Sequence, residues 1–213
     1  DFAPTFTTSS QNAGGYTVLS SSINGSFASS NGTTYAVGYF PQGTYTIKTK
    51  SLTMSGLSVA SSKVYDGTTA AAVIGTATLQ SSEAAGAGAT SDGKPYSGDT
   101  VSISGTAAGT YNSKDVSTAS TVTYSGLSLG GGQAGNYFLT VQSPASATIT
   151  AKALTVTGLS VTDKTYDGTT TANFSGTPSL VGSEAIGLGN ASDGKWYSVD
   201  SVALSGSVTA AFA

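Results

Sequence analysis

The chain repeats itself at long range, and this constrains its fold more than any other feature of the sequence. Lys63-Val-Tyr-Asp-Gly-Thr-Thr69 returns 101 positions on as Lys164-Thr-Tyr-Asp-Gly-Thr-Thr170. Ser82-Glu83-Ala84 returns as Ser183-Glu184-Ala185, and Asp92-Gly-Lys-Pro-Tyr-Ser97 as Asp193-Gly-Lys-Trp-Tyr-Ser198. Thr100-Val-Ser-Ile-Ser-Gly105 returns as Ser201-Val-Ala-Leu-Ser-Gly206. Upstream, Lys50-Ser-Leu-Thr-Met-Ser-Gly-Leu57 matches Lys152-Ala-Leu-Thr-Val-Thr-Gly-Leu159 at a spacing of 102, so one residue is lost before the second Lys-x-Tyr-Asp-Gly. The likeness runs through strand-like and turn-like stretches alike. It divides the chain into residues 1–49, the closing portion of a divergent repeat; 50–150, a complete repeat; and 151–213, the opening of another. In the first portion, Ala13-Gly-Gly-Tyr16 is similar to Ala134-Gly-Asn-Tyr137, with an insertion of hairpin or loop character over about Ser20–Val37.

The local pattern within a repeat is that of strands. Apolar residues alternate with Ser or Thr over Tyr45–Thr49, Leu52–Val59, Thr100–Ser104, Ser120–Tyr124, Tyr137–Val141, Ala147–Thr150 and Leu154–Val161. Asn31-Gly32, Asp66-Gly67, Asp92-Gly93 and Gly130-Gly-Gly132 supply tight turns between them. With 28 Gly, 11 Tyr and only 9% charged residues, the composition fits short strands and turns. A net charge of −3 beside many β-branched and aromatic residues argues against disorder. Seven or so strands in about 100 residues predict an all-β fold of tandem immunoglobulin-like sandwiches. A parallel β-helix is the alternative, but its repeats are far shorter. The predicted core of the complete repeat is Leu52, Leu57, Val59, Tyr65, Val101, Ile103, Val122, Tyr124, Tyr137, Leu139 and Ile149. Its counterpart in the next is Leu154, Leu159, Val161, Tyr166, Val202 and Leu204.

What the sequence lacks narrows its function. Without Cys there is neither a disulfide nor a thiolate metal site. Without His it has no imidazole base or ligand, and without Arg no guanidinium fork for phosphate. Eight scattered Lys in an acidic chain do not make a nucleic-acid surface. No apolar run has the length of a membrane-spanning helix. No enzyme is expected.

The strings Lys-x-Tyr-Asp-Gly-Thr-Thr, Ala134-Gly-Asn-Tyr137 and Ala147-Thr-Ile-Thr-Ala-Lys-Ala-Leu154 resemble the YDG domain, one of the bacterial immunoglobulin-like modules of large secreted exoproteins and filamentous-haemagglutinin-like adhesins. The resemblance covers about 50–213 and, more weakly, 1–49. It implies an extracellular array on a bacterial surface or in biofilm matrix, and it implies no ligand.

Several residues carry alternatives. Asp66, Asp92 and Asp99, with Asp167, Asp193 and Asp200, are oxygen ligands of the kind Ca²⁺ takes, but no dense acidic run supplies the six to eight that it needs. The simpler role for Asp66 and Gly67 is a turn, with the Asp capping neighbouring N–H groups and the Gly in the left-handed region. Glu83 and Asp92 as a glycosidase pair would be copied with the repeat, which is unlike an active site. Lys63 and Asn136 are candidates for an amide cross-link between an early and a late strand. Tyr96, Trp196 and Tyr197 are candidates for sugar stacking, with Pro95 standing where the second copy has Trp196. Four sequons, at Asn24, Asn31, Asn173 and Asn190, matter only where the source glycosylates.

Ala213 corresponds to Asn112, so these residues hold no counterpart of Ser113–Thr150. Either the sequence is an excerpt of a longer chain, or the N-terminal strands of one copy complete the second repeat of the next, head to tail. The expected partners are therefore neighbouring repeats or further copies, with glycans as the alternative.

Overall fold

The computed structural model describes residues 11–18, 26–28, 34–36 and 43–212. Much of the divergent N-terminal portion, with Asn24 and Asn31, lies outside the described residues. The protein is all-β. The chain forms β1 (Gly14–Val18), β2 (Ser26–Ala28), β3 (Thr34–Ala36) and β4 (Gly43–Ile47), then β5 (Lys50–Val59), β6 (Ser62–Val64), β7 (Ala70–Ala71) and β8 (Val73–Leu79). It continues with β9 (Ser102–Tyr111), β10 (Thr121–Gly130), β11 (Tyr137–Thr140), β12 (Ala145–Ser146) and β13 (Thr148–Thr150). The second repeat contributes β14 (Val156–Thr162), β15 (Asn173–Leu180), β16 (Ser183–Glu184) and β17 (Trp196–Tyr197). Among the described residues no helix is long and apolar enough to cross a membrane.

These strands belong to two compact units that do not follow the sequence repeat. One comprises Asp1–Leu57, Gly75–Ala107 and Gly126–Gln142; the other comprises Ser58–Ile74, Ala108–Ser125 and Ser143–Ala213.

In the first unit β5 lies between β11 and β8. It pairs in parallel with β11, placing Tyr137 beside Lys50 and Leu139 beside Leu52. Lys50, Leu52 and Met54 alternate inward, and then the parity changes, with Leu57 the next buried residue. The change falls at Gly56, whose φ of +97° is in the left-handed region. A Cβ there would collide with the Thr76 carbonyl. This glycine bulge moves the buried set to the other parity within one strand. Beyond it, the Gln142 side chain donates to Leu57 O (2.7 Å) and accepts from Leu57 N (3.1 Å), satisfying backbone where β11 has ended. Separately, β1 and β4 form an antiparallel pair, and β2 and β3 pair antiparallel within the inserted stretch.

The second unit has its own core of Tyr111, Ala119, Val122, Ala147 and Ile149, with Val59, Tyr65 and Ala71 packed against it. Here β13 runs parallel to β6, setting Ile149 beside Lys63, and β12 pairs with β10. The second repeat adds the antiparallel pair β14–β15, with a register shift at Thr157/Leu159 around Gly158, the repeat partner of Gly56 on its 102-residue spacing.

Of the core expected in the complete repeat, Leu52, Leu57, Val122, Tyr124, Tyr137 and Ile149 are buried. Val59, Tyr65, Val101, Ile103 and Leu139 are half-buried. The expectation for the second repeat is overturned: Leu154, Leu159, Val161, Tyr166, Val202 and Leu204 are all exposed. In the complete repeat, strands between 121 and 150 cover the equivalent positions, and these 213 residues carry no second set.

Candidate functional site

Two features recur in both repeats. The first is a buried lysine between two carboxylates. Lys50 opens β5, with its side chain 7% exposed, and its Nζ lies 2.5 Å from Glu83 Oε1 and 3.0 Å from Asp92 Oδ1. The Tyr96 ring centroid is 4.3 Å from the same Nζ. Asp92 is held by its own loop: Lys94 N donates to Oδ1 (3.0 Å) and Ala89 N to Oδ2 (3.3 Å). A parallel bridge between Glu83 and Tyr96 fixes the other two groups. Lys152 repeats the arrangement, 3% exposed, 2.5 Å from Glu184 Oε1 and 3.0 Å from Asp193 Oδ1, beneath Tyr197 at 4.3 Å.

Burial by itself would lower the pKa of Lys50; the hydrogen bonds to Glu83 and Asp92 outweigh it and hold the lysine above its ordinary value. Lys152 is raised in the same way. The Lys94 N–H, with Lys50 close by, brings Asp92 down to about 2, and the Lys195 N–H does the same in direction for Asp193.

The second feature is the Tyr-Asp-Gly turn. Asp66 Oδ1 accepts from Thr68 N at 2.9 Å, and Gly67 takes φ +77°. Lys63 Nζ closes the turn on Asp66 Oδ1 (2.7 Å) and on the Thr68 and Ala70 carbonyls. Lys164, Asp167, Gly168 and Thr169 rebuild it, with Thr169 N 3.0 Å from Asp167 Oδ1. The turn is thus a self-contained local motif, formed whether or not its surroundings are packed.

Its surroundings differ sharply between the copies. The hydroxyl of Tyr65 donates to the Asp200 carboxylate, 3.0 Å from each oxygen, and its ring meets Tyr197 edge-on at 5.9 Å. A Cβ on Gly67 would sit 2.9 Å from Ile186. The turn of one repeat is thereby seated on residues 186–200 of the next. Beside it lies a cavity of about 200 Å³ lined by Tyr65, Val116, Leu154, Trp196, Tyr197 and Val202. Burial and the Asp200 carboxylate push the Tyr65 phenol up. Tyr166, by contrast, is 93% exposed, and nothing approaches Gly168.

The YDG domain matches residues 48–147 and again 150–212, together well over half of the chain. The chain belongs to the YDG family. No curated protein matches it, and no solved structure does. Membership names the domain without assigning a surface, partner or activity to it.

Within the YDG repeats the sequence candidates scatter. Trp196 and Tyr197 share the junction cavity, whereas Tyr96 lies over Lys50. Asp66, Asp92 and Asp99 form no common site: Asp66 binds Lys63, Asp92 binds Lys50, and Asp99 accepts the Tyr137 hydroxyl. Among the described residues no three acidic groups are placed to hold a metal ion. The pairing of Lys63 with Asn136 is not formed. Lys63 is spent on the turn, and Asn136 accepts from Ala13 N (2.8 Å) and donates to Asn12. Sequence reasoning missed the Lys50 and Lys152 sites. The available signal was that Lys, Glu, Asp and Tyr persist in both copies while Pro95 changes to Trp196.

Proposed function

We propose that this chain is a structural module: tandem immunoglobulin-like sandwich repeats serving as a stalk, filament or matrix element of a bacterial extracellular adhesin, without catalytic activity or cofactor. The observation that carries this reading is the seating of Tyr65 and Gly67 on Asp200, Tyr197 and Ile186. A motif present in both repeats, and seated in the first copy on the repeat that follows, suits an array whose work is to hold a fixed geometry. The partners are further repeats, in the same chain or in another copy. Small-angle X-ray scattering on the wild type and on Tyr65→Ala tests it. The wild type should give the sharp distance distribution of a clasped pair, and the variant a broader one. A wild type already behaving as freely jointed parts would remove the support.

A carbohydrate-binding role is the second reading, favoured by Trp196 and Tyr197 at the junction cavity. Aromatic faces beside a carboxylate such as Asp200 suit a sugar ring. Selective spots on a glycan array, abolished by Trp196→Ala, would replace the spacer reading with this one.

A further inference from the structure

The cavity beside Tyr65 has a filled counterpart in the first repeat. We infer, on the reading of this chain as part of an array, that the cavity is a socket for a tyrosine at the head of a parallel strand. The strand comes from a further YDG repeat and reads Asn-Tyr-x-Leu-Thr, as Asn136–Thr140 does.

In the first repeat the occupant is Tyr137. It lies beside Lys50 in the parallel β5–β11 pair and is buried. Its hydroxyl donates to Asp99 and accepts from Tyr96 N (3.2 Å). Counted on by the repeat spacing, Lys50, Tyr96 and Asp99 become Lys152, Tyr197 and Asp200, and all three line the cavity. Leu52, which lies beside Leu139 in the same pair, becomes Leu154, which lines it too. The cavity is thus bounded by the same set of residues that flanks β11 in the complete repeat.

The backbone beside the cavity is prepared for the same pairing. β5 starts at Lys50, where β11 runs along it, whereas β14 starts only at Val156. Among the described residues Lys152–Thr155 pairs with no strand. Its other side is already set: Thr155 N donates to Gly194 O (2.9 Å), as Thr53 N does to Gly93 O (3.0 Å). An extended segment held along one side and open along the other can take an added strand without first rearranging. In the register of the first repeat the incoming tyrosine lies beside Lys152 and the incoming leucine beside Leu154, which would then be covered as Leu52 is. Asp200 accepts the Tyr65 hydroxyl, but a carboxylate has about four acceptor sites, so a second phenol can share it. The apolar wall of Val116, Leu154 and Val202 suits a phenol ring better than the hydroxyls of a sugar, which would lose water there without gaining partners.

Trp196 is the single tryptophan of the chain and lines the cavity, so its fluorescence reports occupancy. The probe is a synthetic peptide of residues 133–143, which contains no tryptophan, titrated into the full chain. Trp196 emission should shift saturably, at one peptide per chain. Tyr137→Phe in the peptide should weaken binding about ten-fold or more, because a hydrogen bond to a carboxylate is lost, and Tyr137→Ala should weaken it further. Asp200→Asn in the chain should weaken the tyrosine peptide and leave the phenylalanine peptide nearly unchanged. The peptide substitutions leave the chain intact, so they decide the matter even if Asp200→Asn folds poorly. No saturation up to about 1 mM peptide overturns the inference. So does equal binding of the three peptides, or binding that leaves Trp196 unmoved. A Trp196 shift with monosaccharides and not with peptide overturns it in favour of the glycan reading. A shift with rising chain concentration that Tyr16→Ala abolishes, without peptide binding, overturns it in favour of β1 of a second copy. The clasp of Tyr65 is judged separately by scattering, so the array reading stands or falls apart from the socket.

Discussion

The two repeats share a sequence pattern and differ in how far that pattern is packed. Leu52 is fully buried, and its counterpart Leu154 is 37% exposed. Tyr65 is bonded to Asp200, and its counterpart Tyr166 faces solvent. Yet the lysine sites and the Tyr-Asp-Gly turns are nearly superposable in their distances across the copies. The turn is made by residues within about one tight loop of one another, so it forms from local sequence alone. The lysine sites need only the opening half of a repeat. The apolar core needs strands from the closing half as well.

Core truncation should separate the repeats most. Leu52→Ala removes a fully buried side chain and should cost about 2–5 kcal/mol, whereas Leu154→Ala should cost less than about 2 kcal/mol. Denaturant unfolding of the two variants measures this. Equal costs would mean that something covers β14 in solution.

The glycine pair comes next. Gly67 and Gly168 hold φ of +77° and +74°, so alanine should carry the same backbone penalty of about 1 kcal/mol at each. Only Gly67 also faces Ile186, which adds about 1 kcal/mol of crowding there. Thermal melts that rank Gly168→Ala as the worse variant would break the assignment of Gly67 to the junction.

The smallest effect is acid sensitivity of the turns. Burial tends to raise Asp66, but the Lys63 and Thr68 hydrogen bonds win and lower it; Lys164 and the Thr169 N–H lower Asp167. A carboxylate lowered in the folded state contributes stability that is present above its unfolded pKa of about 4 and is lost as pH falls through the folded value. Melting midpoints should therefore be flat from about pH 5 to 8, where no histidine titrates, and should fall below about pH 4. Asp66→Asn should cost no more than about 1 kcal/mol at pH 7 and nothing at low pH, because the ion pair is partly solvated. A midpoint that declines between pH 7 and 5 would contradict the assignment.

How much of this was legible in sequence depended on the range of the interactions. Alternation in Leu52–Val59 and Tyr137–Val141 marks β5 and β11 within a residue or two. The pattern misses β8, whose Val73-Ile-Gly-Thr-Ala-Thr-Leu79 is interrupted by Gly75, and the second half of β9, where Ala107, Ala108 and Gly109 carry little strand preference. β15 is missed for a like reason, with Gly176 and Pro178 inside it. At the site, Asp66 and Gly67 were readable as a turn because a turn is a local object. Lys50, Glu83 and Asp92 were not readable as a cluster, since 33 residues separate the lysine from its glutamate. Burial, which makes the lysine notable, is set by packing. The Lys63–Asn136 pairing failed for the same reason: spacing along the chain does not reveal which lysine a fold encloses.

The second compact unit draws on both repeats, since Ser58–Ile74 and Ala108–Ser125 are grouped with Ser143–Ala213. The junction of the two YDG matches, between residues 147 and 150, lies inside this unit. Stability within that unit is therefore shared between residues of both YDG matches. Residues 58–74 and 108–125, cut away from residues 143–213, would lose neighbours that they pack with in this unit.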